Sequence, residues 1–75
     1  MNYLTATRVL RTIDQNPRIT PLEISEKLKV SAQYIRNILR VLTELRMVET
    51  PVRGVYLITD TGRYVLNHIE NVKSS

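Results

Sequence analysis

Thr20-Pro21-Leu22-Glu23-Ile24-Ser25-Glu26-Lys27-Leu28-Lys29-Val30-Ser31, continued over residues 32–46 by AQYIRNILRVLTELR, is the stretch on which the fold turns. Thr20 stands in an N-cap position, Pro21 at the first helical position and Glu23 at the third. A hydroxyl and a carboxylate so spaced each satisfy one amide that a first helical turn leaves without a partner, and proline loses nothing there. The spacing predicts a short helix over 21–28 with Leu22, Ile24 and Leu28 on its buried side. That helix stops at Lys29-Val30, and Ser31 is placed to cap the next one.

The next helix is expected over 32–46. Its side chains divide into two arcs at the helical period. Ile35, Ile38, Leu39, Leu42 and Leu45 share one arc, with Tyr34 and Val41 on its flank. Gln33, Arg36, Asn37 and Arg40 lie opposite, and Glu44 follows them on the last turns. The apolar arc is wider than packing against one neighbour requires, so cover from two directions is predicted.

Upstream, Leu4, Ala6, Val9, Leu10 and Ile13 predict a helix over 4–15, ended at Asn16-Pro17 because the residue before proline is pushed out of the α region. Downstream of Val48 the period changes. Val48-Glu49-Thr50-Pro51 and Val55-Tyr56-Leu57-Ile58 read as two strands of a hairpin over about 48–58, turned by Val52-Arg53-Gly54. Thr59 or Asp60 then caps a last helix over 60–72, whose stripe is Val65, Leu66, Ile69 and Val72. The fold class expected is mainly α with a small β-hairpin (α+β), in one domain over residues 1–75.

Composition narrows the function. Of 75 residues, 43% are hydrophobic and 24% charged, the balance of a soluble globular domain. A chain this short buries only about 60% of its unfolded surface, so its core is thin and a partner chain would help it. Eleven Lys and Arg against seven Asp and Glu leave a net charge of +4, enough to attract a polyanion if the charges gather on one face. Cysteine is absent and His68 is the one histidine. Without a thiolate, a Gly-rich phosphate loop or paired carboxylates in an evident pocket, neither an enzyme nor a metal site nor any cofactor is expected. No apolar run reaches the roughly 20 residues of a membrane span. A cytoplasmic, nucleoid-associated protein of a prokaryotic or virus-infected cell is expected, with no membrane partner.

The order helix, helix, tight turn, helix, two-stranded hairpin, helix resembles a winged helix-turn-helix domain, similar to those of the multiple-antibiotic-resistance and arsenical-repressor classes of small prokaryotic and archaeal-type regulators. Residues 20–31 look like the T-x-x-E-L-A-x-x-L-G-V-S of such domains. Leu42-Thr43-Glu44-Leu45-Arg46-Met47-Val48-Glu49 looks like L-x-x-L-G-L-V-E, and Tyr56-Leu57-Ile58-Thr59-Asp60-Thr61-Gly62 is similar to Y-x-L-T-x-x-G. Lys29 and Arg46 stand where those patterns usually carry glycine, and the wing is short, with one basic residue at its tip. The resemblance implies a transcriptional regulator, a repressor by expectation, with the third helix in the major groove of double-stranded DNA and the hairpin near the backbone or minor groove.

The chemistry of the polar arc agrees with that expectation. Arginine can give two hydrogen bonds to guanine, and a side-chain amide can exchange two with adenine. Gln33, Arg36, Asn37 and Arg40 are therefore the expected base contacts. Thr20, Lys29, Ser31 and Arg53 are the expected contacts to phosphate, which position the domain without reading sequence. Val65, Leu66, Ile69 and Val72 are expected at the interface of a homodimer, since two copies of a recognition helix read two half-sites of a palindrome, the alternative being that this stripe only covers the wide apolar arc of the third helix. No small-molecule effector is indicated. The competing reading from another class is a winged helix that binds protein within a larger assembly.

Overall fold

The structure, a computed structural model, describes the backbone of residues 3–74 and the side chains of residues 5–69. Four helices and one hairpin follow in the order α1 (Tyr3–Gln15), α2 (Pro21–Leu28), α3 (Ala32–Glu44), β1 (Val48–Glu49), β2 (Leu57–Ile58) and α4 (Asp60–Ser74). The architecture is the winged helix-turn-helix that the element order implies.

Each boundary from the end of α1 to the start of α3 has a local cause. α1 stops before Asn16-Pro17, and Arg18 at φ 68° turns the chain so that the buried Ile19 meets the core. The capping box of α2 is complete: the Glu23 amide donates to Thr20 Oγ1 at 3.2 Å, and the Thr20 amide donates to Glu23 Oε1 at 2.9 Å. Lys29 at φ 59° closes α2, with the Val30 amide reaching back to the Ser25 carbonyl at 3.1 Å. Ser31 then caps α3 by accepting from the Tyr34 amide at 3.0 Å.

The end of α3 repeats the device that ends α2. Arg46 takes φ 62°, and the Met47 amide reaches back to the Leu42 carbonyl at 2.9 Å. The helix therefore finishes at Glu44, two residues before the expected end, because the chain must reverse there to enter β1. In both turns a non-glycine residue occupies the left-handed region that glycine adopts more cheaply, at a cost of about 1–2 kcal/mol each.

β1 pairs antiparallel with β2 through Val48↔Ile58 and Glu49↔Leu57, a shorter ladder than the four-residue strands expected. Pro51 has no amide to continue it, and a turn closed by the Val55 amide on the Val52 carbonyl, with Gly54 at φ 83°, forms the tip. Thr59 then joins wing to helix. Its hydroxyl accepts from the Gly62 amide at 3.0 Å, which makes it the cap of α4, and donates to the Arg46 carbonyl at 2.6 Å.

The core gathers side chains from every element: Val9, Leu10 and Ile13 of α1, Ile19, Ile24 of α2, Ile35, Ile38, Leu39 and Leu42 of α3, Val48 of β1 and Leu66 of α4. α2 and β1 cover α3, which accounts for its wide apolar arc, whereas α4 packs mainly on α1 and β2. Two residues read from the sequence as buried are not. Leu22 is 58% exposed and Leu45 54% exposed. On α2, which packs on α3, Ile24 and Ser25 are the buried residues, and Leu22 turns to solvent. Leu45 falls after the last turn of α3, where the helical period no longer fixes its direction.

Candidate nucleic-acid interface

With its apolar arc held by Ile35, Ile38, Leu39 and Leu42, α3 must turn the opposite arc outward, and Gln33, Arg36, Asn37 and Arg40 are all exposed. The two amides are tied to each other, Gln33 Nε2 donating to Asn37 Oδ1 at 3.0 Å. An amide oxygen has two lone pairs, so Asn37 keeps one acceptor position and its own NH2 free, the pair that adenine requires. Gln33 acts here as its buttress. Among the described residues neither Arg36 nor Arg40 has a hydrogen bond or ion-pair partner, so both guanidinium groups present their full set of donors to solvent.

The expected phosphate contacts separate into two groups. Lys29, Ser31 and Arg53 are exposed, the first two flanking the N-terminus of α3 and the third at the wing tip. Thr20 is differently placed. Its hydroxyl lies 3.0 Å from Glu23 Oε1 and its amide donates to the same oxygen. Those bonds hold the Glu23 carboxyl below the usual carboxylate range, the Thr20 amide being the chief cause. Thr20 thus has its donors engaged by an anion, and that anion would repel a phosphate arriving there.

A groove between α3 and the wing brings further residues to this surface. Arg36, Arg40, Thr43 and Glu44 line one side, and Thr50 and Tyr56 the other. Thr50 and Tyr56 carry no signal of this in the sequence beyond Tyr56 standing in an expected strand and opening the Y-x-L-T-x-x-G pattern, because their place follows from how the hairpin folds back over the end of α3.

On the opposite flank lies a second, apolar groove of about 350 Å³, lined chiefly by Ala6 and Leu10 of α1, Leu42, the exposed Leu45, Met47, and Val65 and Ile69 of α4. Of the stripe expected to pair two copies, Val65 and Ile69 are half-buried at this groove, but Leu66 is 1% exposed within the core and has no surface to offer. The side chain of Val72 lies outside the described residues. Among the described residues no helix is long and apolar enough to cross a membrane.

Comparison with known proteins gives this geometry its context. The family model described as "Winged helix-turn-helix DNA-binding" matches residues 4–49. Among solved structures, the chain is similar to the MarR family protein Rv2887 of Mycobacterium tuberculosis in complex with DNA, at 25% identity and a TM-score of 0.83 over 89% of this chain and 52% of that one. It is also similar to IdeR of T. acidophilum, at 28% identity and a TM-score of 0.79, covering 89% of this chain and 33% of that one. AF1382 of Archaeoglobus fulgidus shares the fold at 21% identity and a TM-score of 0.82, covering 99% of this chain and 89% of that one. The chain thus spans about half the length of the MarR family protein it matches. No curated protein matches it.

Proposed function

From the premise that this chain belongs to the winged helix-turn-helix DNA-binding family, we propose that it binds double-stranded DNA sequence-specifically as a transcriptional regulator and acts as a repressor. In this reading α3 enters the major groove and the wing lies beside the backbone or the minor groove. One observation carries it: the outward arc of α3 presents two unpartnered guanidinium groups and an amide with its adenine-reading edge open, on a helix whose other arc is fixed in the core.

Asn37 and Arg36, nearer the start of α3, read base edges, Gln33 orients Asn37, and Arg40 stands between base and phosphate. Lys29, Ser31 and Arg53 hold phosphates. Thr20 is left out of that set because Glu23 engages it. Occupying a site is enough to exclude polymerase, so repression needs no surface beyond the DNA-reading one.

A single domain with so few base-reading side chains covers a short site. Two copies would read an inverted repeat, and the occupant proposed for the apolar groove is accordingly a second copy of this chain. Val65, Ile69 and the exposed Leu45 are its contacts. The groove lies on the flank of α3 away from the reading arc, so pairing there leaves both arcs open.

Fluorescence anisotropy with mixed-sequence and selected duplexes tests the reading. If four to six phosphates are neutralised per copy, log affinity falls with log salt at a slope of roughly −4 to −5. Arg36→Ala is expected to cost about 1–3 kcal/mol on the selected site and relax its sequence preference, while Arg53→Ala weakens all duplexes alike. Sites selected from a random pool should carry two inverted half-sites that recruit two copies. Absence of binding at low salt would leave the protein-binding role in its place.

A further inference from the structure

The groove between α3 and the wing has a composition that the base-reading arc does not explain. Arg36 and Arg40 stand on one wall with Thr43 and Glu44, and Thr50 and Tyr56 stand on the other, in a cleft of about 390 Å³. Tyr56 is half-buried and packs against the core while lining this cleft, so its position is fixed by the fold. Thr50 is exposed beside it. Arg40 and Glu44 are one helical turn apart, yet they form no ion pair, and Arg40 is without any partner among the described residues. A guanidinium left unpaired, in a solvent-open cleft whose lining also includes the hydroxyl-bearing Thr50 and Tyr56, offers three kinds of donor to an anionic oxygen group.

We propose that this cleft is the seat of one phosphodiester of the bound duplex, with Arg40, Tyr56 and Thr50 as its ligands. The inference rests on the DNA-binding reading above and adds to it a site at the base of the wing. A phosphate seated there is gripped from α3 and from the wing together, which fixes the angle at which α3 enters the groove. Tyr56 supplies that grip with little loss of side-chain freedom, being packed already. Glu44 bounds the seat on the same wall as Arg40, one helical turn further along α3. Its carboxylate lies on the same cleft and repels the backbone, so it restricts the phosphate to the Arg40 side.

These roles have separable signatures. Tyr56→Phe and Thr50→Val each weaken binding about 5-fold on every duplex, the net worth of one ordinary hydrogen bond, with the order of sequence preference and the salt slope unchanged. Arg40→Gln weakens binding about 10-fold and lowers the magnitude of the salt slope by about 0.9, the value of one phosphate contact. Glu44→Gln tightens binding to all duplexes about 2- to 5-fold at low salt, because a repelling charge is removed. Thermal melting of each variant shows whether the fold is intact, and Thr50→Val, at an exposed position, serves where Tyr56→Phe disturbs packing.

The outcomes part cleanly. Should wild-type protein bind no duplex at low salt, the DNA-binding reading itself is wrong and this seat goes with it. Should wild-type protein bind and Arg36→Ala lose specificity while Thr50→Val and Tyr56→Phe bind as wild type, the seat alone is overturned. A Glu44→Gln variant that binds selected sites more weakly and random ones unchanged would show that Glu44 reads a base, and would likewise overturn the assignment.

Discussion

The helix-turn-helix half and the wing are both bounded by left-handed turns, but what holds each in place differs in kind. α2 and α3 carry side-chain caps at both N-termini, from Thr20, Glu23 and Ser31, and bury Ile24, Ile35, Ile38 and Leu39 between and beneath them. The wing has two residue pairs of ladder, Val48↔Ile58 and Glu49↔Leu57, and its tip at Pro51, Val52, Arg53 and Gly54 is exposed. Its attachment is at the root, where Thr59 bonds the Arg46 carbonyl and its amide donates to the Met47 carbonyl at 3.0 Å. The difference teaches where stiffness is placed. The element bearing the side chains proposed to read bases is fixed along its whole length, whereas the element bearing Arg53 is anchored at one end, which would suffice for the backbone contact proposed for it.

The contrast would break most visibly at Gly62. The start of α4 passes so close to the wing root that a methyl group there would overlap the Met47 carbonyl oxygen and come within 2.9 Å of Ile58 Cγ1. The first of these is backbone and cannot swing aside. Gly62→Ala is expected to cost about 3 kcal/mol or more and to lower the melting temperature by more than about 10 °C in calorimetry. Gly54→Ala, in the same wing but with open space around it, costs only about 1 kcal/mol through its φ of 83°. Equal melting temperatures for the two variants would mean that the root is no more constrained than the tip.

On the other side of the comparison, the cap of α2 can be removed in two ways. Thr20→Ala costs about 1 kcal/mol, read as a shift in denaturation midpoint. Glu23 offers a pH dependence whose sign follows from its lowered pKa. The folded state prefers the carboxylate, so its contribution is full above the ordinary value of 4.5 and is lost as pH falls through the lowered folded value. The gap in melting temperature between wild type and Glu23→Gln should therefore shrink between about pH 6 and about pH 3. A gap that stays constant over this range would show that the Thr20–Glu23 bonds do not depend on charge.

These same places mark what could be read from the sequence. Thr20-Pro21-x-Glu23 and Ser31 were legible because a cap is a local device, closed within four residues. The outward arc of α3 was legible because the apolar arc opposite it is unambiguous from Ile35 to Leu42. Leu22 and Leu45 were misplaced because helical spacing says which residues share a face and not which face meets a neighbour. Leu66 reads as a dimer-surface residue for the same reason, although it is buried in the core on a helix that packs on α1 and β2. Gly62 and Tyr56 stand in the Y-x-L-T-x-x-G pattern, but nothing local shows why a side chain is excluded at Gly62 or that Arg40, Thr50 and Tyr56 form one cleft. Each arises where segments distant in sequence are brought together, the wing root against α4 in one case and the wing against α3 in the other.

The smallest expected effect sharpens the comparison most, because it sets fold against function at one residue. Lys29 closes α2 at φ 59°, a conformation a lysine holds at a cost glycine avoids, and it stands exposed beside the N-terminus of α3. For the fold alone, Lys29→Gly should be neutral to stabilising, by at most about 1 kcal/mol, since glycine's greater freedom in the unfolded chain offsets part of the relief. For DNA binding it should be a loss, uniform across duplexes, with the salt slope lower in magnitude by about 0.9. Arg46→Gly, in the equivalent turn at the end of α3 and not among the residues proposed to touch DNA, should give the first effect without the second. Measured side by side by melting and anisotropy, the two variants separate the geometry of the turn from the charge it carries. If both gain stability and neither loses affinity, Lys29 is a turn residue only and the phosphate contact assigned to it is wrong.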